Sequence, residues 1–246
     1  MGSGSVKRPI GILGGMGPEA TILLMSRVLA LTPAQDDSDH VPLLVDSNTQ
    51  VPSRIKALID GTGESPGPVL VEMTRRLGAM GAMALAMPCN TAHAYLPEIR
   101  AAAGDVPLLD MVGLTAERFA GMTPRPQRVA LLASTAVQIT GLYDKAFAAL
   151  GIEAIFPQRQ AEVMEVIRAV KRGACGPSER AVLADIAEAL IDQGAEAIAI
   201  ACTEISVIAD GLPRTVPVLD AIDVLADAIV GFSEGQNAAL RSGAAA

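Results

Sequence analysis

Two apolar runs, each followed by a cysteine, constrain the fold of this chain more than any other feature. One reads AMALAMPCNT over residues 82–91 and contains Cys89, and the other reads AEAIAIACTE over residues 195–204 and contains Cys202. Each is typical of a buried parallel strand that carries a thiol at its C-terminal tip. Ligands of open α/β folds bind at that edge, because loops and helix N-termini converge there. The pair therefore predicts chemistry that needs two matched groups on opposite sides of one small molecule.

The two halves of the chain look like copies of each other. Cys89 lies 21 residues before Asp110, which ends the block VPLLD. Cys202 lies 18 residues before Asp220, which ends the similar block VPVLD. We interpret the pattern as a duplication, because so long a period fits duplicated domains rather than a solenoid. It predicts a pseudo-twofold arrangement in which the two cysteines face each other across a cleft.

Short apolar runs alternate with longer amphipathic stretches along the chain. This alternation predicts an α/β fold with βαβ units, parallel sheets and helices on both sheet faces. The strands are expected around residues 9–13, 42–46, 82–87, 107–110, 128–133, 197–201 and 216–220. The duplication predicts a first lobe of residues 1–113 plus 218–246 and a second lobe of residues 114–217, with a hinge at residues 121–126. The last helix, about residues 221–232, is expected to pack on the first lobe.

The composition argues against several classes of partner. A net charge of −8 and a pI near 4.8 do not suit a surface for nucleic acid or for anionic membranes. Aromatic residues make up only 2% of the chain, which disfavours a base-stacking platform. No apolar run reaches the ~18 residues of a spanning helix, and residues 1–5 are typical of a flexible lead. Three cysteines without close spacing fit a reducing compartment, so we expect a cytoplasmic protein.

The repetition of the cysteines favours a chemical role for both. A thiol acts as a base or nucleophile only as the thiolate. Cys89 and Cys202 each precede a polar cluster that is expected to start a helix, where unpaired N–H groups lower the pKa of a thiol. A pair of ordinary buried cysteines is the alternative. The repeated polar followers argue against it.

Three motifs together resemble the aspartate/glutamate racemase family, and above all its aspartate racemase branch. They read GGMGPEAT over residues 14–21, PCNTAH over residues 88–93 and ACTEI over residues 201–205. The resemblance implies two flavodoxin-like lobes with the active site in the cleft between them. It implies racemisation of an amino acid, aspartate or glutamate, without pyridoxal phosphate, metal or other cofactor. One of the two cysteines, Cys89 or Cys202, would remove the Cα proton as a thiolate, the other would protonate the opposite face as a thiol, and the protein would be a homodimer.

The resemblance also implies substrate-binding residues. Asn90, Thr91 and Thr203 stand beside the cysteines, where similar proteins hold the substrate's ammonium and α-carboxylate groups. Arg54 ends a segment that binds the distal carboxylate in similar proteins, a task that suits a planar guanidinium. Lys171 matches a lysine that serves the same carboxylate. The full set of expected substrate-binding residues is Met16, Asn48, Arg54, Asn90, Thr91, Thr135, Lys171, Thr203 and Glu204.

Some positions depart from the family pattern. Thr135 follows a serine, where similar racemases have a Gly-Thr pair, so the pocket wall is expected to differ there. Residues 14–16 read GGM, and Glu204 follows the second Cys-Thr, whereas glutamate racemases of cell-wall synthesis have Asp-Ser-Gly and histidine at these places. Both differences point away from that branch. Glu204 either polarises or relays a proton near Cys202, or favours a helix start.

Several alternatives stay open on the residues alone. The GxGxxA spacing of residues 15–20, with Asp46 after the next strand, imitates a dinucleotide site but leaves both cysteines unexplained. Zinc bound by Cys89, His93 and Cys202 is a second alternative, although His93 is expected on a helix surface or at the pocket wall. A redox pair and a non-catalytic small-ligand sensor are others. Broad-specificity racemases, hydantoin racemases, maleate isomerases and arylmalonate decarboxylases share the scaffold that the resemblance implies.

Overall fold

The computed structural model describes residues 7–235, which contain two four-stranded, all-parallel sheets. The expected lead at residues 1–5 lies outside them. The strands are β1 Ile10–Gly14, β2 Leu43–Ser47, β3 Ala84–Ala86, β4 Leu108–Leu109, β5 Arg128–Ala133, β6 Glu153–Ile155, β7 Ala197–Ala201 and β8 Val218–Asp220. The orders are β2-β1-β3-β4 and β6-β5-β7-β8. The identical order of the two sheets confirms the α/β class with two pseudo-symmetric lobes.

Helices cover the sheets. In the described part of the chain they are α1 Pro18–Leu31, α2 Gly67–Ala79, α3 Leu96–Ala103, α4 Met111–Ala120, α5 Thr135–Thr140, α6 Leu142–Ala148, α7 Gln160–Lys171, α8 Pro177–Asp192, α9 Thr203–Ser206 and α10 Ala221–Ser233. Further short helical turns lie at Asp37–Asp39, Lys56–Asp60, Thr91–Tyr95 and Ala209–Gly211. None of these helices is long and apolar enough to cross a membrane.

The central strands are apolar throughout because both of their faces are buried. Along β7, Ile198 and Ile200 pack into one core cluster, which includes residues of α7 and α8. Ala197 and Ala199 point to the opposite face and pack into another cluster with residues of α4 and α6. Alternate side chains of one strand thus enter two cores, which is why the strand reads as a continuous apolar run rather than an alternating one.

One helix that follows each sheet packs on the other lobe. Helix α4 follows β4 of the first sheet, yet Val112 and Phe119 pack with the core of the second sheet. Helix α10 follows β8 of the second sheet, yet Ile222 and Leu225 pack with β1 of the first sheet. The expectation for the last helix is thereby confirmed. Strand β8 pairs with β7 of the second sheet. The lobe boundary expected at residue 218 would separate β8 from that sheet, and this boundary stays a prediction.

Candidate active site

Both cysteines line one cavity at the carboxyl ends of the two sheets. Cys89 follows β3 and Cys202 follows β7, the equivalent strands of the two sheets. The cavity has a volume of about 140 Å³, and Cys89 and Cys202 are each 7% exposed and carry free thiols. Its lining consists of Met16, Ser53, Arg54, Ile55, Cys89, Asn90, Thr91, Ser134, Ile167, Lys171, Ala201, Cys202, Thr203 and Glu204. Most of the residues expected from the sequence are thus brought together.

Cys89 is positioned through its backbone by a buried histidine. His93 Nδ1 lies 2.9 Å from the Cys89 carbonyl oxygen, and the Met111 N–H donates to His93 Nε2 over 3.2 Å. Because Nε2 accepts, Nδ1 carries the proton and donates to Cys89. Burial lowers the pKa of His93, against the nearby charge of Asp110. His93 is therefore a neutral structural residue, and its expected place on a helix surface or at the pocket wall was wrong.

The two halves of the Asn90 amide differ in their hydrogen bonding. The Tyr143 hydroxyl, which is fully buried, donates to Asn90 Oδ1 over 2.7 Å. Asn90 Nδ2 is buried and has no hydrogen-bond partner within residues 7–235. An unpaired buried donor is costly unless a ligand satisfies it. Tyr143 could not be identified from the sequence, because an aromatic residue in an amphipathic helix is typical of the hydrophobic core.

Thr91 joins the two lobes beside the cavity. Its hydroxyl and that of Ser134 are 3.2 Å apart and hydrogen-bonded. Ser134 lines the cavity, whereas Thr135 does not: the Thr135 hydroxyl accepts from the Gln160 amide over 3.4 Å. Sequence reasoning singled out Thr135 and missed its neighbour. The strand-to-helix turn after β5 points the serine, not the threonine, toward the cleft.

Cys202 is hydrogen-bonded to Glu204. Cys202 Sγ lies 3.1 Å from Glu204 Oε2, and Glu204 Oε1 lies 2.6 Å from Lys171 Nζ. Burial raises the pKa of the Cys202 thiol well above its ordinary value, and the charge of Glu204 adds to the rise while Lys171 opposes it. The lowered pKa expected at a helix start is therefore wrong for Cys202. Helix α9 has only four residues, and its N–H groups do not outweigh burial beside a carboxylate.

Arg54 is a cation held by backbone oxygens. Its guanidinium donates to the carbonyls of Val51, Pro52 and Met16 over 3.2, 3.0 and 3.3 Å. None of the ion pairs found among the described residues involves Arg54. The positive charge therefore lines the cavity without a carboxylate partner. A substrate carboxylate would complete the pair.

The glycine-rich first loop has a structural explanation. Gly15 has a φ of +85° and lies against the backbone of Asn48 so closely that a Cβ atom would meet it at 2.4 Å. The loop places Met16 on the cavity, whereas Asn48 packs behind the loop and is not part of the lining. Asp46, the candidate ribose ligand of a dinucleotide site, is paired with Arg76 at 2.6 Å. Because Asp46 is engaged by Arg76, it is not free to bind a ribose hydroxyl, which argues against a dinucleotide site.

The described residues contain no cluster of three or more histidine, cysteine or carboxylate side chains that could hold a metal ion. Both ring nitrogens of His93, one of the three candidate zinc ligands, are hydrogen-bonded to backbone groups and are not free to bind a metal ion. Fold and site together define a two-lobed α/β protein with one thiol from each lobe in a shared cleft.

The chain belongs to the Asp/Glu/hydantoin racemase family, whose model matches residues 13–229. A broad-specificity amino-acid racemase, RacX of Bacillus subtilis, is 30% identical over 236 residues, covering 90% of this chain and 96% of that protein. The aspartate racemase of Picrophilus torridus is 29% identical with a TM-score of 0.78, covering 93% of this chain and 94% of that one. A putative Asp/Glu racemase from Yersinia pestis, 24% identical with a TM-score of 0.74 and covering 92% of this chain and 99% of that one, shares the fold. These comparisons confirm the predicted family and the prediction that the protein is an amino-acid racemase.

Proposed function

We propose that this protein racemises an amino acid without a cofactor, using Cys89 and Cys202 as two acid–base groups on opposite faces of the substrate. The observation that carries the proposal is the arrival of two buried thiols, from equivalent strands β3 and β7, in a single small cavity. A pseudo-twofold pair of this kind suits a reaction whose two halves are mirror images. Both the forward and the reverse reaction then use the same two groups in exchanged roles.

The reaction begins when one thiolate removes the Cα proton. The electron pair left at Cα spreads into the α-carboxylate, and the other thiol then protonates Cα from the opposite face. Asn90 Nδ2 is the donor that we assign to the α-carboxylate, because it is buried, unpartnered within residues 7–235 and part of a lining residue. Thr91 and Thr203 complete the polar wall on either side. Donors fixed in advance stabilise the charge that develops in the transition state.

Arg54 supports a substrate with a second carboxylate, aspartate or glutamate. It is a lining cation bound by backbone oxygens and, within residues 7–235, it forms no ion pair, whereas Lys171 is already paired with Glu204. We therefore assign the distal carboxylate to Arg54 and a different task to Lys171. A relative is named as an aspartate racemase.

A broad substrate range is the second candidate. The relative from Bacillus subtilis with 30% identity is named as a broad-specificity racemase. Three carbonyl groups already bind part of the Arg54 guanidinium, so a substrate without a distal carboxylate would not leave this cation without hydrogen bonds. The homodimer expected from the resemblance stays a prediction.

The test is proton NMR of the protein in D₂O with a panel of L-amino acids, hydantoins and maleate. We expect loss of the Cα–H signal of aspartate or glutamate, with appearance of the D-enantiomer, and no requirement for an added cofactor. Exchange of many amino acids at similar rates would favour the broad-specificity alternative. Turnover of maleate or hydantoins alone, or of nothing in the panel, would overturn the proposal.

A further inference from the structure

Glu204 lies between a thiol and an ammonium group. Its two oxygens are 3.1 Å from Cys202 Sγ and 2.6 Å from Lys171 Nζ, and all three side chains line the cavity. The Glu204 side chain is only 14% exposed. The geometry is a continuous hydrogen-bonded chain from sulfur to carboxylate to ammonium.

The chemistry of these groups fixes where the proton lies in this arrangement. An ionised carboxylate only accepts hydrogen bonds and an ammonium group only donates them. The Cys202 thiol therefore donates to Glu204, which is in turn neutralised by Lys171. If Cys202 lost its proton while Glu204 stayed ionised, two negative charges would be in contact in a buried site, which is strongly unfavourable.

We propose that Glu204 is the proton partner of Cys202: it takes the thiol's proton when Cys202 must act as a base, and Lys171 holds it in place. In this step the S–H bond breaks, its electron pair stays on sulfur, and the proton forms an O–H bond with Glu204. The trio carries no net charge before the step, with one carboxylate and one ammonium, and none after it, with one thiolate and one ammonium. This role deepens the proposed function and rests on it for its use in catalysis, but the pairing itself is measurable without substrate.

One further carboxylate lies near this trio. Glu19 borders a small crevice that is also lined by Lys171 and Glu204, and its side chain approaches the same face of Gly17 as that of Glu204. Among the described residues, the hydrogen bond of the Cys202 thiol goes to Glu204 and not to Glu19. Glu19→Gln therefore removes a neighbouring charge without touching the thiol, and it serves as the matched control.

The test measures thiolate formation at Cys202 against pH. In the double variant Cys89→Ser, Cys175→Ser, Cys202 is the only cysteine of the chain. The ultraviolet absorbance of the thiolate and the rate of alkylation by iodoacetamide give its titration midpoint. In this background, Glu204→Gln should lower the midpoint by about one pH unit or more, because the like charge is removed. Lys171→Met should raise it, and Glu19→Gln should leave it in place.

An unchanged midpoint in Glu204→Gln, or the same shift in Glu19→Gln, would overturn the proposal. Glu204→Asp, whose shorter side chain withdraws from sulfur, provides a second measurement. Its titration midpoint should lie between those of the Glu204→Gln variant and the background protein. In the chain with all three cysteines, Glu204→Gln should lower kcat at least about 10-fold, with a displaced pH profile, whereas Glu19→Gln should not. If the midpoint moves as expected but the unaltered protein racemises no amino acid, the proposed function fails while the pairing stands.

Discussion

At the scale of single residues, the cleft contains two cations that differ in their hydrogen-bond partners. Lys171 is neutralised by Glu204, whereas Arg54 is hydrogen-bonded to three backbone carbonyls and forms no ion pair among the described residues. A guanidinium presents five donors in a fixed fork, so carbonyl bonds on one side leave other donors for a carboxylate. This difference makes Arg54 the residue that distinguishes acidic from neutral substrates in our account.

Replacing Arg54 by alanine should lower kcat/KM for aspartate or glutamate by roughly 10- to 100-fold, because a charge-assisted hydrogen bond is worth about 1.5–3 kcal/mol. The effect should fall mainly on KM and should be less than about 3-fold for any neutral amino acid that the protein accepts. Steady-state kinetics with both substrate types provides the measurement. Arg76→Ala, which removes the same charge from the Asp46 pair outside the cavity, is the control. Equal losses for acidic and neutral substrates would remove Arg54 from this role.

Many site residues could be predicted from the sequence because they directly follow the strand-end cysteines. Asn90, Thr91, Thr203 and Glu204 all line the cavity for this reason. Residues delivered by distant elements could not be found in that way. Tyr143, which orients Asn90, reaches it from another lobe and has no local pattern that distinguishes it from core. The protonation of the Cys202 thiol also depends on burial, which a short motif does not reveal.

At the scale of elements, the repeated aspartates of the VPLLD and VPVLD blocks have a structural role. Asp110 accepts hydrogen bonds from the N–H groups of Val112 and Gly113, and Asp220 accepts one from Ile222. Each is the N-cap of the helix that crosses to the other lobe, and such caps typically contribute about 1 kcal/mol. The duplicated sequence signal therefore marks the two crossing helices, α4 and α10, rather than a catalytic pair.

Asp220 should make folding stability depend on pH. Burial raises its pKa to about 7, although the bonds from Ile222 and Ser206 oppose the rise. Because the folded pKa exceeds the unfolded value of 3.8, its contribution is fully present below that value and is lost as pH rises toward 7. The total effect is at most about 4 kcal/mol, since one pKa unit corresponds to about 1.4 kcal/mol.

Asp220→Asn keeps the acceptor of both hydrogen bonds and removes the titration. Urea unfolding of the two proteins between about pH 4 and pH 8 should show the variant gaining stability relative to the parent as pH rises, because only the parent must ionise a buried carboxyl. The difference between the curves isolates Asp220 from the half-buried Asp223, whose pKa burial also raises. A difference that does not change with pH would contradict this account.

The elements were predictable where apolar runs are continuous, and less so at sheet edges. Strand β6, Glu153–Ile155, was missed because it is short, begins with an exposed glutamate and lies at the edge of its sheet. Helix α4 follows a strand of the first sheet and packs on the second, and its apolar stripe alone does not distinguish the two sheets.

At the scale of the whole molecule, a symmetric fold carries an asymmetric pair of thiols. Each sheet contributes one cysteine from its equivalent strand, and each lobe is closed by the other lobe's helix. Yet Cys89 is positioned by a neutral histidine through its backbone, whereas Cys202 is bound to Glu204 through its sulfur. We expect the two thiols to serve the same reaction in turn, although their immediate surroundings differ.

The most direct test of the central claim is the racemisation rate of Cys89→Ser and Cys202→Ser, each assayed in D₂O from both enantiomers of the preferred substrate. Since enantiomers have equal free energy, loss of either acid–base group must slow both directions, and we predict a fall of at least about 100-fold in each variant. Cys175→Ser, which removes a cysteine that is not part of the lining, should retain full activity. Near-normal interconversion in either Cys89→Ser or Cys202→Ser would contradict the two-thiol account.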